Sequence, residues 1–158
     1  MNDSEIRSVL VPVTNAALLL PNAAVAEVIA LSELAPIADA PEWLLGTTIW
    51  HGWEVPVAAW AVLTRLAGSE STAHGRIAVF KALTGGGRMP YFGILTQGFP
   101  QLTSVNAANL VAIPDAEVTI GMLARAILQE REVIVPDLDR TAQLIAHAAY
   151  GALPITAG

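Results

Sequence analysis

Residues 43–57, WLLGTTIWHGWEVPV, decide how the chain folds. Apolar runs at 44–50 and 55–57 flank the dipeptide His51-Gly52. Gly52 takes positive φ without steric cost, so the chain reverses there. Thr47, Thr48, Ile49 and Trp50 favour an extended backbone. Pro56 has no amide hydrogen, which predicts that the return strand lies at a sheet edge or carries a bulge. Trp43, Trp50 and Trp53 are three of the chain's four tryptophans. So much aromatic surface at a hairpin needs a core beneath it or a partner above it. Alternation sets Trp50 opposite in sense to Ile49. We expect Trp43 and Trp60 in the core, and Trp50 or Trp53 exposed as an anchor.

Upstream, 8–13 (SVLVPV) and 16–20 (AALLL) read as a hairpin around Thr14-Asn15. After Pro21-Asn22, the segment 23–31 is ambiguous by periodicity. We read a short turn at 23–25 and a strand at 27–30. Pro36 and Pro41 mark 32–42 as a loop. Downstream, 57–66 stays apolar, and 67–75 (AGSESTAHG) is a polar surface loop and the approximate midpoint between two lobes. The strand pattern resumes at 76–83 and 89–96 around a TGGGR turn at 84–88. Residues 97–108 read as irregular, 109–113 as a strand and 122–127 as strand or helix. Glu130-Arg131-Glu132 reads as a charged turn, and 133–135 as a short strand stopped by Pro136-Asp137. Asp139 is placed to N-cap a helix at 140–150 ended by Gly151, with Leu144, Ile145 and Ala148 turned to the body. Many short strands at hairpin spacing predict small barrels or a sandwich rather than a βαβ fold.

Composition narrows the function. A length of 158 residues fits one ordinary domain. Charged residues are 14% against a usual value of roughly 25%, so some apolar surface is left uncovered for partners. The net charge of −6 and a single lysine, Lys81, argue against nucleic acid, which needs a basic stripe. Without cysteine there is no disulfide, thiolate nucleophile or Cys-ligated metal, which is consistent with the cytoplasm. The most apolar region, 16–31, is broken by Pro21, Asn22 and Glu27 and does not read as a membrane span. The start, MNDSEIR, does not read as a signal peptide.

Taken together, both halves resemble the CheW family of chemotaxis coupling proteins. The family pattern has a hairpin, V-x-E-[VI], a Pro-containing loop, and then G-x-x-[NW]-[LW]-R-G-x-x-x-P-V-[VI]-D-L. The chain carries Val25-Ala26-Glu27-Val28, Pro41, Gly46, Ile49, Trp50, Gly52, Pro56 and Val57 in that order. It departs at His51, where the pattern has Arg, and at Ala58-Ala59-Trp60, where the aspartate is missing. The resemblance covers roughly residues 8–146. It implies two intertwined SH3-like β-barrel lobes with a shared core and a short C-terminal helix. It also implies a non-enzymatic adaptor between a chemoreceptor cytoplasmic tip and a histidine kinase regulatory domain, with no cofactor and no direct membrane insertion. Val25, Gly46 and His51 fall on family contact positions, with Glu27 beside them. Trp50, Gly52 and Trp53 complete the partner-binding set we expect. The divergence suggests a type IV pilus chemosensory system.

The same residues admit plainer readings. Gly46 and Gly52 suit backbone geometry alone, and His51 suits a turn as well as a contact or a pH-sensitive switch. His74 and His147 lack metal-ligand spacing. Asp137 and Asp139 suit a strand end and a helix cap better than an acid–base pair. Gly85-Gly86-Gly87 lacks the lysine of a phosphate loop. Two alternatives to the adaptor are a self-associating structural module and a small barrel enzyme, which needs a polar pocket around His51, Glu54 or Glu27.

Overall fold

The computed structural model describes residues 5–83 and 89–151, so the turn expected at 84–88 lies outside the described residues. The first hairpin pairs β1 (Ile6–Val13) with β2 (Ala16–Pro21), setting Val9 opposite Leu20 and Val11 opposite Leu18. A 3-10 turn at Asn22–Ala24 leads into β3 (Val25–Ala30). Next come β4 (Leu44–Trp50), β5 (Trp53–Ala58), a one-turn helix α1 (Trp60–Leu63), β6 (Arg76–Lys81) and β7 (Tyr91–Thr96). The chain then runs through β8 (Gln101–Val105), β9 (Leu110–Ala112), β10 (Met122–Leu128) and β11 (Arg131–Pro136), and ends in α2 (Leu138–Tyr150).

The strands form two sheets, in the orders β8-β1-β2-β11-β10-β9 and β3-β6-β7-β5-β4. Both ends of the chain thus build the first sheet, and the middle builds the second. The chain crosses between sheets after Pro21 and again after Thr96, and the 67–75 loop lies between elements of the second. Each sheet contains one parallel strand pair, β2 with β11 at Leu18 and Ile134, and β5 with β7 where Val57 meets Gly93 and Ala58 meets Ile94. The protein is mainly β with two barrel-like lobes and a C-terminal helix, as the sequence predicts.

Alternation gives each sheet two apolar faces. Leu10, Ala17, Leu19, Ala126 and Val133 fill the first lobe. Val57, Ile77 and Val79, with Ile29, Leu45, Trp50 and Tyr91, fill the second. The opposite faces meet in a shared core that includes Val11, Leu18, Trp60, Phe80, Phe92, Ile94 and Ile145. Fully buried Trp60 keeps its indole N–H satisfied by Thr141 Oγ1 at 3.3 Å, which ties α1 to α2. Glu70 on the 67–75 loop accepts from Thr14 N at 2.9 Å, Ala61 N at 3.1 Å and Gln97 Nε2 at 3.4 Å, tying the loop to both sheets and to α1.

Several local expectations are corrected. Residues 101–105 are a strand, β8, although its outward Gln101, Leu102 and Ser104 conceal the pattern. Pro56 is not on an edge strand: β5 lies between β4 and β7, and pairing with β7 begins only at Val57. The bulge falls on the partner strand, between Leu44 and Gly46. The turn before β11 is Gln129-Glu130, with positive φ at both, while Arg131 and Glu132 already belong to the strand. Asp137, not Asp139, caps α2 by accepting from Arg140 N, because the helix begins at Leu138, which packs on the core. Ile145 is buried, and Leu144 and Ala148 are half-buried against the body. Trp43 is half-buried on the shared core rather than within it.

Candidate functional site

The site grows from the hairpin turn. Trp50 pairs with Trp53 across His51 and Gly52, whose φ values of 49° and 81° are both positive, as a type I′ turn requires. Such a turn matches the strand twist and places both indoles on one face. Ile49 and Glu54 form the next pair and face the other way. Ile49 is 68% exposed, and Glu54 Oε1 accepts from Tyr150 Oη at 3.3 Å at the end of α2.

Strands β3 and β4 are the two edges of the second sheet. Yet Trp50 Nε1, on β4, donates to Glu27 Oε1, on β3, at 2.9 Å. The sheet therefore curls until its edges meet at this end. His51 Nε2 lies 3.5 Å from the same carboxylate oxygen, with the two side chains 68% and 48% exposed. Exposure of both groups limits the pair to a weak contribution. Trp50 also meets the His51 ring at 4.5 Å and the Tyr91 ring at 4.8 Å, both edge-on, and Trp53 lies 6.1 Å from Tyr91. The result is an aromatic rim at the mouth of a lobe, with the carboxylate held at its Trp50 and His51 side.

Of the seven candidate positions, Glu27, Trp50, His51, Gly52 and Trp53 share this rim, and Trp53 is the more exposed indole at 47%. Val25 and Gly46 stand apart. Val25 is half-buried against the shared core, paired with Phe80. Gly46 is buried with φ +143°, and a Cβ on it would come 2.5 Å from Ala35 O and 2.9 Å from Leu34 Cβ. That glycine lets the 32–42 loop pass over β4 and form the Ala35–Thr47 bridge. Tyr91 belongs to the rim but carries no signal in its own segment, because only the β5–β7 pairing brings it beside the hairpin.

A second uncovered apolar surface lies between the sheets. A groove of about 360 Å³ is lined chiefly by Leu20, Ala24, Leu83, Leu123, Val135 and Leu138. Leu83 and Leu123 are 81% and 61% exposed. Among the described residues, no three His, Cys, Asp or Glu side chains are gathered to hold a metal, and no helix is long and apolar enough to cross a membrane.

The family model described as a CheW-like domain matches residues 7–146. The crystal structure of scaffolding protein TtCheW from Thermoanaerobacter tengcongensis matches this fold with a TM-score of 0.73. The match covers 98% of this chain and 95% of that one at 13% sequence identity, so the likeness is one of fold. Comparison with curated proteins gave no match.

Proposed function

The chain belongs to the CheW-like domain family, and from that membership we propose that it is a non-enzymatic adaptor coupling chemoreceptors to a CheA-type histidine kinase. The observation that carries this reading is that large apolar side chains stand uncovered at several separate places. They include Trp53 and, on the opposite face of the hairpin, Ile49, as well as Leu83 and Leu123 at the groove. A coupler needs two docking surfaces, and exposed apolar patches of this kind mark interaction sites. We assign the hairpin rim, with Glu27, Trp50, His51 and Trp53, to the kinase regulatory domain. The groove suits one apolar face of a helical receptor tip. The non-enzymatic part is supported by the exposure of Glu27 and His51, which sit on a rim rather than in a water-excluding cleft. A place in a type IV pilus chemosensory system is the finer part of the reading. It rests on His51 and Ala58-Ala59-Trp60 standing where the family pattern differs.

The test is calorimetric titration of the full chain with a purified kinase regulatory domain and, separately, a receptor-tip fragment. Trp53→Ala is expected to weaken the first and Leu123→Ser the second, each with an unchanged circular dichroism spectrum. Absence of binding to both partners by the wild-type chain sinks the adaptor reading.

A further inference from the structure

The rim at the mouth of the second lobe has the chemistry of a cation receptor. The Glu27 carboxylate is nearly half exposed, and its Oε1 is touched by the Trp50 indole N–H and by His51 Nε2. Among the described residues, no lysine or arginine lies within 4.0 Å of it. Lys81 is opposite Tyr91 in the β6–β7 register, but lines the apolar groove. Glu54, the acid of the hairpin itself, belongs to the opposite face and takes the Tyr150 hydroxyl. Glu27 is thus a carboxylate with aromatic neighbours and no strong cationic partner.

The rings around it are inclined rather than stacked. The Trp50 and Tyr91 planes meet at 72°, and those of Trp53 and Tyr91 at 58°. Rings set this way form walls, and the face of an indole or phenol attracts a cation within about 6 Å. A carboxylate beside such walls suits a guanidinium better than an ammonium. The guanidinium is planar, stacks on aromatic faces, and can direct a fork of N–H donors at a carboxylate. The net charge of −6 draws a basic partner from a distance.

We propose that this rim, formed by Glu27, Trp50, Trp53 and Tyr91, receives an arginine side chain of the docking partner. The inference rests on the reading of the hairpin as a docking surface and adds the chemistry of what docks there. His51 sets the limit of the site. Its Nε2 already reaches Glu27, so an arginine at this position would fill the site from within the chain.

The experiment is an NMR titration of the full, ¹⁵N-labelled chain, following the indole N–H signals of Trp50 and Trp53. The probe is the peptide acetyl-Gly-Arg-Gly-amide, with the uncharged citrulline peptide as control. Saturable shifts with arginine and none with citrulline are expected. Glu27→Gln and His51→Arg should each weaken the arginine peptide at least about fivefold, in proteins whose spectra remain dispersed. Equal shifts with both peptides, or unchanged arginine binding in Glu27→Gln, overturn the proposal. If the kinase domain binds while the arginine peptide does not, the arginine site is wrong and the adaptor reading stands. If the arginine peptide binds as described but neither partner domain does, the site stands and the adaptor reading falls.

Discussion

Replacing Gly46 by alanine separates an architectural role from a docking role at one of the candidate positions. Gly46 sits at the β4 bulge with φ +143°, a conformation that L residues rarely adopt. The added Cβ would meet backbone Ala35 O at 2.5 Å and Leu34 Cβ at 2.9 Å, and neither is a flexible tip that can swing aside. Backbone strain of this kind costs about 1–3 kcal/mol. Relief of the clash requires the 32–42 loop to lift, breaking the reciprocal Ala35–Thr47 hydrogen bonds, both 2.9 Å. Each such bond contributes about 0.5–1.5 kcal/mol. The loss is therefore about 2–6 kcal/mol against a typical stability of about 5–15 kcal/mol. In a chain of this size it lowers the melting temperature by roughly 5–20 °C. Urea unfolding followed by tryptophan fluorescence measures it. A Gly46→Ala protein with an unchanged unfolding midpoint but lost partner binding would refute the reasoning and return Gly46 to the contact surface.

Four other substitutions test the frame. Glu70→Ala leaves three N–H donors without their acceptor and should cost about 2–4 kcal/mol in urea unfolding, with Glu70→Gln recovering part of it. Ile145→Ala empties a fully buried position on α2 and should cost about 2–5 kcal/mol by the same measurement. Asp137→Ala removes the α2 cap and should cost about 1 kcal/mol, visible as faster amide exchange in the helix's first turn. His51→Asn places a residue favoured at the first turn position, φ 49°, and should raise stability by up to about 1 kcal/mol by thermal unfolding.

What could be read from the chain depended on whether the cause was local. The His51-Gly52 reversal is set by two residues and their flanks and was legible, whereas the pairing of Trp50 with Trp53 across it comes from the structure. The first hairpin was legible for the same reason, since Asn15 tolerates the φ of 67° that its turn demands. Strand β8 was hidden because its pairing with β1 carries no apolar alternation: Leu102 is 77% exposed, and Val105 is the strand's one buried residue. Helix α1 leaves no pattern in the sequence because one turn gives no periodicity. The choice between Asp137 and Asp139 as the α2 cap depends on where Leu138 packs, which is a tertiary matter. The union of Glu27, Trp50 and Tyr91 was least legible. It requires the second sheet to curl and β5 to run parallel to β7, and neither is written in any short segment.

The division of the two sheets along the chain also governs how the molecule is made. Strands β3 to β7 form a nearly continuous stretch of sequence, so that lobe can assemble as it leaves the ribosome. Strand β2 pairs with β11, which starts at Arg131, 110 residues beyond the end of β2 at Pro21. At about 5–20 residues per second, the first hairpin waits roughly 5–20 s with an open edge. During that wait, the apolar Val9–Val13 and Ala17–Leu20 strands are a template for another nascent chain. Moving the chain's start to the stretch between β7 and β8, residues 97–100, by circular permutation would shorten the wait and leave β3 to β7 contiguous. It should raise the soluble yield of newly made protein without altering the finished core.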